Sequence, residues 1–84
     1  MLSHITLHEG CEVPVHAHAN EQFSCVLSGQ VAFAVADGQR VLGAGEVIWF
    51  PAHAPHGARA LTIAEVLDVF APPSTTTGID QRRT

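Results

Sequence analysis

Short segments of alternating apolar and polar residues, separated by turn residues, constrain the fold of this chain most strongly. The candidate strands cover 2–7, 12–18, 22–27, 31–35, 40–42, 47–50, 56–60 and 62–70. Asp37-Gly38, between the fourth and fifth of these, is typical of a type I′ hairpin turn, and we find no useful helical period elsewhere. Seven or eight short strands in a chain of 84 residues predict a single all-β sandwich or barrel.

The second and third candidate strands indicate how the sheets pack. Pro14 cannot donate to a strand ladder, so it predicts an edge strand or a bulge within 12–18. The strand at 22–27 has two different faces, and one of them carries Phe23, Cys25 and Leu27. A domain of this size buries only about 60% of its unfolded surface. We therefore expect a second subunit to cover that face, which makes the protein a homodimer.

Composition and charge exclude several kinds of partner. Hydrophobic residues make up 46% of the chain and charged residues 14%, which excludes intrinsic disorder. The formal net charge is -4 with only 4 basic residues, so we expect no nucleic-acid partner. No apolar run approaches the length of about 18 residues that a membrane span needs, and the N-terminus lacks a signal-peptide pattern. These features predict a cytoplasmic protein that does not bind a membrane.

The composition changes near the C-terminus. Pro72-Pro73 is followed by a stretch rich in Ser and Thr at 74–77. We therefore expect one barrel domain over 1–73 and a flexible C-terminal tail over 74–84.

Histidines are concentrated in two short clusters, His16 with His18 and His53 with His56. Two residues apart on a strand, His16 and His18 point to the same side of the sheet. Gln22 follows a turn and can return beside them, while His56 supplies a third imidazole from a distant strand. Three imidazole nitrogens and a carbonyl oxygen suit a borderline divalent ion. We therefore predict one ion of Zn, Ni, Fe or Mn per chain, held by His16, His18, Gln22 and His56.

The residues around these clusters resemble the two sequence motifs of the cupin family. The residues with the spacing of the motifs are Gly10, His16, His18, Gln22 and Gly29, followed by Gly45, Pro51 and His56. The family usually has Glu where Gln22 stands and Gly where His53 stands. The resemblance implies a cupin-type jelly-roll β-barrel with one divalent metal inside it. We expect His53 at the rim of the pocket, not among the ligands.

Longer stretches resemble one branch of that family, the pectin-degradation (KdgF-like) cupins. The stretches HAHANEQFSCVLSGQ and PHGARALTIAEVLDVFAPP carry this resemblance. It implies that Asp68 and Phe70 line the metal pocket. An Arg that would bind a substrate carboxylate usually follows the double proline, where this chain has Ser74. Arg40 and Arg59 are the candidates to replace that Arg in substrate binding.

Three functions are compatible with such a site. The resemblance implies metal-assisted ring opening of an unsaturated or keto uronate, an isomerase- or lyase-type reaction in which Asp68 moves the proton. The alternatives are a three-histidine Fe(II) oxygenase and a non-catalytic cupin that binds a small molecule such as a carboxylated sugar. Ser74 favours the binding protein, so the sequence leaves open whether this chain is an enzyme. Relative to the KdgF-like branch the sequence starts at the second strand, so we expect different dimer contacts.

Overall fold

Eight β-strands make up the regular structure of residues 2–71, the part of the chain that the computed structural model describes. They are β1 (Leu2–Leu7), β2 (Glu12–His16), β3 (Glu21–Ser28), β4 (Val31–Val35), β5 (Gly38–Leu42), β6 (Val47–Phe50), β7 (His56–Ala60) and β8 (Ala64–Ala71). The first sheet has the order β1-β8-β3-β6, and the second sheet has the order β2-β7-β4-β5. All pairs are antiparallel, and strands from both halves of the chain interleave in each sheet. This is the jelly-roll arrangement, so the expected all-β jelly-roll fold is confirmed.

The second strand ends earlier than the alternation of the sequence indicates. β2 ends at His16, and His18 lies in the loop that follows, not on the strand as expected. The register between β2 and β7 shifts between Val13 and His16, around Pro14, because proline has no N–H for the ladder. β2 is also an edge strand of the second sheet. Both consequences predicted from Pro14, an edge position and a bulge, are therefore present.

β8 begins at Ala64 and not at Thr62 as expected, because residues 61–63 form a turn. The backbone N–H of Gln30 donates to the hydroxyl oxygen of Thr62 at 3.1 Å, which holds this turn against the one that follows β3. Gly29 lies between the two turns with a φ of 81°. A Cβ at that position would clash with the carbonyl oxygen of Ile63, so the close approach requires glycine.

The space between the sheets is apolar at one end and polar at the other. The buried apolar cluster is Leu7, Val26, Val31, Phe33, Leu42, Phe50, Ala60, Ala64 and Val66. β3 shows the change within one strand, because its buried inner residues run from Val26 through Ser24 to Gln22. His56, at the start of β7, is the third buried polar residue. The fold therefore collects its buried polar side chains where β2 ends and β3 begins.

The outer face of the first sheet is apolar. Among the described residues ten large hydrophobic side chains stay exposed, and six of them lie on this face, namely Leu2, Phe23, Leu27, Val47, Trp49 and Val69. Phe23 is central, since it pairs with Trp49 on β6 and with Val69 on β8. Phe23 and Leu27 are exposed on this face as expected, and Cys25 between them is half-buried.

The structure bears in a limited way on the expected C-terminal tail and on the expected absence of a membrane span. The tail expected at 74–84, including Ser74, lies outside the described residues. Within residues 2–71 no helix is long and apolar enough to cross a membrane.

We propose that a second copy of this chain covers the outer face of the first sheet. Aromatic and aliphatic side chains of this kind form the cores of homodimer interfaces, and a twofold axis would bury the same face on both copies. Val69→Glu places a charge in the middle of that face. We therefore expect a wild-type dimer and a monomeric Val69→Glu variant in sedimentation velocity at micromolar concentration.

Val41→Glu is the matched control for this variant. Val41 lies on the second sheet and is 51% exposed, against 40% for Val69. A carboxylate at position 41 is therefore at least as exposed to solvent in the monomer as one at position 69. The control should remain a dimer. A folded, soluble monomer of the wild-type chain would contradict the proposal.

Candidate metal centre

A cavity of about 240 Å³ lies between the two sheets at their polar end. Its polar wall consists of His16, His18, Gln22, Ser24, His56 and Asp68. Apolar side chains that include Ile5, Phe33 and Phe70 line the rest. The residues for which the sequence indicates a metal-ligand or pocket role, except His53 and the two arginines, therefore share one space.

Strand ends bring the three histidines together. His16, the last residue of β2, pairs directly with His56, the first residue of β7, and His18 follows β2 in the loop. The ring centroids are 4.6 Å apart for His16 and His56, and 5.0 Å apart for His18 and His56. The candidate ligand atoms of the three side chains all lie within 4.8 Å of one another. One ion could therefore contact all three imidazoles.

Backbone carbonyls fix the orientation of two of these rings. Nδ1 of His16 lies 2.9 Å from the carbonyl oxygen of Pro14, and Nδ1 of His56 lies 2.8 Å from that of Ala54. A carbonyl oxygen only accepts, so in both rings Nδ1 carries the proton and donates it. Nε2 of each neutral ring then presents a lone pair to the cavity, as metal-binding histidines do.

Gln22 brings its side-chain oxygen to the same point. Its Oε1 lies 3.1 Å from Nε2 of His18 and 3.2 Å from Nε2 of His56. Since the proton of neutral His56 is on Nδ1, Nε2 of His56 and Oε1 of Gln22 are both acceptors and face each other. A cation between the two atoms, or a proton on His56, removes this conflict.

Protonation of His56 is disfavoured. Burial lowers the pKa of His56, and the neighbouring His16 and His18 lower it further. The hydrogen bond to the carbonyl of Ala54 and the charge of Asp68 oppose this without reversing it. His56 is therefore neutral at pH 7 and could offer a nitrogen lone pair to an ion, and three imidazoles with one carbonyl oxygen fit a divalent metal ion.

His18 is held differently from the other two histidines. Its Nδ1 is buried and has no hydrogen-bond partner among the described residues. A buried polar atom without a partner destabilises a fold by about 1–3 kcal/mol. The ring of Phe70 packs edge-on against His18 at a centroid distance of 5.9 Å. Ring packing and Gln22, not a backbone carbonyl, therefore hold His18 in the site.

Ser24 connects Gln22 to Asp68, and the sequence analysis missed it. The amide nitrogen Nε2 of Gln22 donates to the Ser24 hydroxyl oxygen at 2.8 Å, and the hydroxyl donates to Oδ1 of Asp68 at 2.6 Å. Ser24 is fully buried, and its backbone pairs with that of Asp68 across β3 and β8. The available signal was its position two residues after Gln22, which places both side chains on the inner face of β3.

Phe50 supports His56 from the apolar side of the cavity. The two rings stack with a centroid distance of 4.2 Å and an interplanar angle of 13°. Phe50 is only 3% exposed and also pairs with Gln22 across β3 and β6. This packing restricts the plane of the His56 ring, so this candidate ligand would be preorganised for an ion.

The two arginines expected to bind a substrate carboxylate lie away from the cavity. Arg59 alternates with the cavity-lining Ala58 and therefore faces the outer side of the second sheet, with its Nε 4.0 Å from a carboxylate oxygen of Glu12. Arg40, on the edge strand β5, is more than half exposed and lies 4.0 Å from Asp37. Neither arginine lines the cavity.

His53 has an unusual backbone conformation. Its φ is 68°, and it is the one non-glycine residue with positive φ among the described residues. Its N–H donates to the carbonyl oxygen of His18 at 2.7 Å, so it ties the turn before β7 to the loop that carries a ligand. The left-handed φ explains why glycine would suit this position. The His53 side chain is exposed and is not part of the three-histidine group.

The chain is similar to cupin proteins in sequence and in fold. A family model described as Cupin_2, cupin domain, matches residues 3–70. An RmlC-like cupin from Shewanella frigidimarina is 36% identical, with 87% of this chain and 66% of that chain covered and a TM-score of 0.82. KdgF from Halomonas sp. is 28% identical, with 87% and 68% covered and a TM-score of 0.82. An RmlC-like cupin from Desulfovibrio desulfuricans is 36% identical, with 86% and 71% covered and a TM-score of 0.77.

These similarities have two limits. The chain spans about two thirds of the length of the first two of these structures. No curated protein matches it in sequence.

We expect the wild-type protein to bind about one divalent ion per chain at this site. Replacing His16 and His18 together with Ala removes two of the four donors, so stoichiometric metal should be lost. Elemental analysis after loading with Zn and dialysis measures this. The control variant carries His4→Ala and His8→Ala, since both histidines are exposed and outside the cavity. Full retention of metal in the first variant would contradict the assignment.

His53→Gly should raise the free energy of unfolding. The left-handed conformation destabilises an L-residue by about 1–2 kcal/mol, and glycine relieves this strain. The larger loss of backbone entropy when glycine folds offsets about 0.5–1 kcal/mol of the stabilisation. His53→Val should lower the free energy of unfolding, because a β-branched residue tolerates positive φ poorly. Urea denaturation of the metal-free protein measures both variants. A glycine variant less stable than wild type would show that the His53 side chain makes a stabilising contact.

Proposed function

This chain belongs to the cupin domain family, and from that premise we propose that it is a metal-dependent protein that isomerises a small sugar acid by proton transfer. The ligands of the ion are His16, His18, Gln22 and His56. The catalytic residue is Asp68. The observation that carries the proposal is the presence of this carboxylate in the same cavity as the histidine group.

An ion in this site and the side chains of the protein would have separate roles in this reaction. A divalent ion held by these residues would act as a Lewis acid that polarises an oxygen of the substrate. Nδ1 of His16 and of His56 stays protonated and bonded to backbone carbonyls, so neither ring exchanges a proton with the substrate through that atom. The chain must therefore supply the proton-transfer group from elsewhere in the cavity.

Asp68 is suited to that task. Ser24 donates to its Oδ1, while Oδ2 has no hydrogen bond among the described residues. Asp68 is half-buried and lies between Val66 and Phe70 on the cavity face of β8, which limits access of water. In the proposed step Asp68 accepts the proton of the anomeric hydroxyl while the ring C–O bond breaks. The ring oxygen leaves as an enolate, and Asp68 then returns the proton to the carbon of that enolate to give the ketone, so the isomerisation needs no further reactant.

The size and chemistry of the cavity favour a small ligand. Its volume of about 240 Å³ lies just below the range of about 300–1,000 Å³ that is typical of pockets for drug-sized ligands. The cavity therefore suits a monosaccharide better than an oligosaccharide. The similarity to KdgF and the resemblance of the sequence to pectin-degradation cupins support a sugar acid.

One observation favours a second candidate, a cupin that binds a small molecule without turnover. Within the described residues no Lys or Arg lines the cavity, so no cationic side chain there pairs with a substrate carboxylate. Ligand that is bound and recovered unchanged would identify such a protein. The three histidines also leave an Fe(II) oxygenase as a chemical alternative, which consumption of dioxygen by the iron-loaded protein would identify.

Asp68→Asn tests the catalytic assignment. An Asn oxygen can still accept the hydrogen bond from Ser24, but the side chain cannot act as a base at neutral pH. We expect turnover of an unsaturated uronate to fall by about 10²-fold or more while metal content is unchanged. The reaction is followed by the loss of the ultraviolet absorbance of the substrate's alkene.

Glu65→Gln is the matched control for charge, because Glu65 lies on the same strand but is exposed and bonded to His4. This variant should keep the wild-type rate. An Asp68→Asn variant that matches the wild-type rate would show that Asp68 is structural. If the wild-type protein turns over no sugar acid of this class, calorimetric binding of the same compounds tests the second candidate.

A further inference from the structure

We propose that Ser24 is a positioning residue that determines which end of the Gln22 amide faces the histidines. The proposal deepens the proposed function and rests on it, since the amide oxygen matters only if the site binds an ion. No hydrogen bond joins Ser24 to a histidine among the described residues. It acts on the site through Gln22 alone.

The direction of the hydrogen bonds follows from the chemistry of the three groups. An ionised carboxylate only accepts, so the single hydroxyl proton of Ser24 points to Asp68. The Ser24 oxygen must then accept, and the nearest donor is the amide NH₂ group of Gln22. With its nitrogen directed to Ser24, Gln22 turns its carbonyl oxygen to the histidines. The charge of Asp68 therefore fixes the orientation of an amide that it does not touch.

The contact with His56, taken alone, would favour the opposite orientation of the amide in the metal-free site. Nε2 of neutral His56 is an acceptor, because the proton of that ring is on Nδ1. If Gln22 were flipped, its NH₂ group would donate to that nitrogen and satisfy both atoms. The same bond would occupy the lone pair of His56 and remove the oxygen ligand. Ser24 therefore disfavours the orientation in which Gln22 donates a hydrogen bond to His56. It keeps Oε1 of Gln22 and Nε2 of His56 available for a cation.

Among the described residues, Ser24 is the one hydrogen-bond partner of the Gln22 amide nitrogen. Ser24 is fully buried and Gln22 is 7% exposed, so bulk water cannot readily replace the hydroxyl. The direct pairing of Ser24 with Asp68 across β3 and β8 sets the distance of their hydrogen bond. A side chain without a hydroxyl at position 24 therefore leaves the Gln22 amide free to flip.

An amide and a carboxylate at position 22 differ in a way that an experiment can use. An amide has one oxygen and one nitrogen, so its function as a ligand depends on its orientation. A carboxylate has two equivalent oxygens and needs no orientation. Ser24 should therefore matter when residue 22 is Gln and should not matter when Gln22→Glu has been introduced.

The experiment measures Co(II) affinity by competition with a chromophoric chelator in four proteins: wild type, Ser24→Ala, Gln22→Glu and the double variant. We expect Ser24→Ala to weaken affinity by about 10-fold, as the loss of a partner that orients a metal ligand does. In the Gln22→Glu background the same change should alter affinity by no more than about twofold. Co(II) spectra of Ser24→Ala should show the loss of an oxygen ligand. Ser24→Thr keeps the hydroxyl and should restore wild-type affinity.

Ser3→Ala is the control for loss of a serine. Ser3 also pairs with Asp68, from the other side of β8, but does not line the cavity, so this variant should bind Co(II) as wild type does. An equal loss of affinity from Ser24→Ala in both backgrounds would overturn the proposal, since it would show a general structural role. No loss in either background would overturn it as well.

A measurement on the metal-free wild-type protein separates this proposal from the metal site itself. In NMR spectra the Gln22 amide protons should give nuclear Overhauser effects to the β-protons of Ser24 and not to the ring protons of His56. Effects to the His56 ring would overturn the proposal even if Ser24→Ala did not fold. Failure of the wild-type protein to bind Co(II), together with the expected effects to Ser24, would overturn the metal function and leave the orienting role of Ser24 standing.

Discussion

The contact between Nε2 of His56 and Oε1 of Gln22 is the interaction on which the rest of the site depends. Two acceptors 3.2 Å apart in a buried position are unfavourable unless a cation joins them. The protein holds this arrangement with groups on both sides. Ala54 fixes the tautomer of His56, and Ser24 fixes the amide of Gln22. The polar end of the interior is therefore organised for a cation at the expense of its own hydrogen bonding.

Much of the fold and of the candidate site could be predicted from the sequence, because the strands depend on periodicity and the histidine group on spacing. Alternation identified the strands and placed Gln22 and Phe23 on opposite faces of β3, as the structure shows. The convergence of His16 and His56 depends on strand pairing, which the resemblance to cupins supplied and alternation alone could not.

Other features depend on tertiary contacts that no local pattern encodes. The outward direction of Arg59 follows from which face of β7 meets the first sheet. The contact of Ser24 with Asp68 joins residues 44 positions apart, so neither residue indicates the other in the sequence. The left-handed conformation of His53 is set by its bond to the loop at His18, and histidine itself gives no signal for it. In each case the missing information is the register between strands or the path of a loop.

The same strands serve the site and the apolar outer face. β3 and β8 lie side by side in the first sheet, and each alternates cavity residues with residues of that face. Ser24 and Asp68 form a pair on the inner side, while the neighbouring pair Phe23 and Val69 lies on the outer side. Burial of the outer face against a second copy would restrain the backbone to which the inner hydrogen bonds are attached. Assembly and site geometry are therefore expected to be coupled through these two strands.

An ion at this site would also connect the two sheets. Gln22 belongs to the first sheet, whereas His16 and His56 belong to the second. The cavity wall combines these candidate ligands with members of the apolar cluster, among them Phe33, Phe50 and Val66, so the ion would add a polar link beside the hydrophobic packing of the two sheets. A ligand that binds only the native state stabilises it by about 2.7 kcal/mol at one hundred times its dissociation constant. That is a large fraction of the total for a small domain, whose whole stability is about 5–15 kcal/mol. An ion held by residues of both sheets would therefore favour the native arrangement of the two sheets.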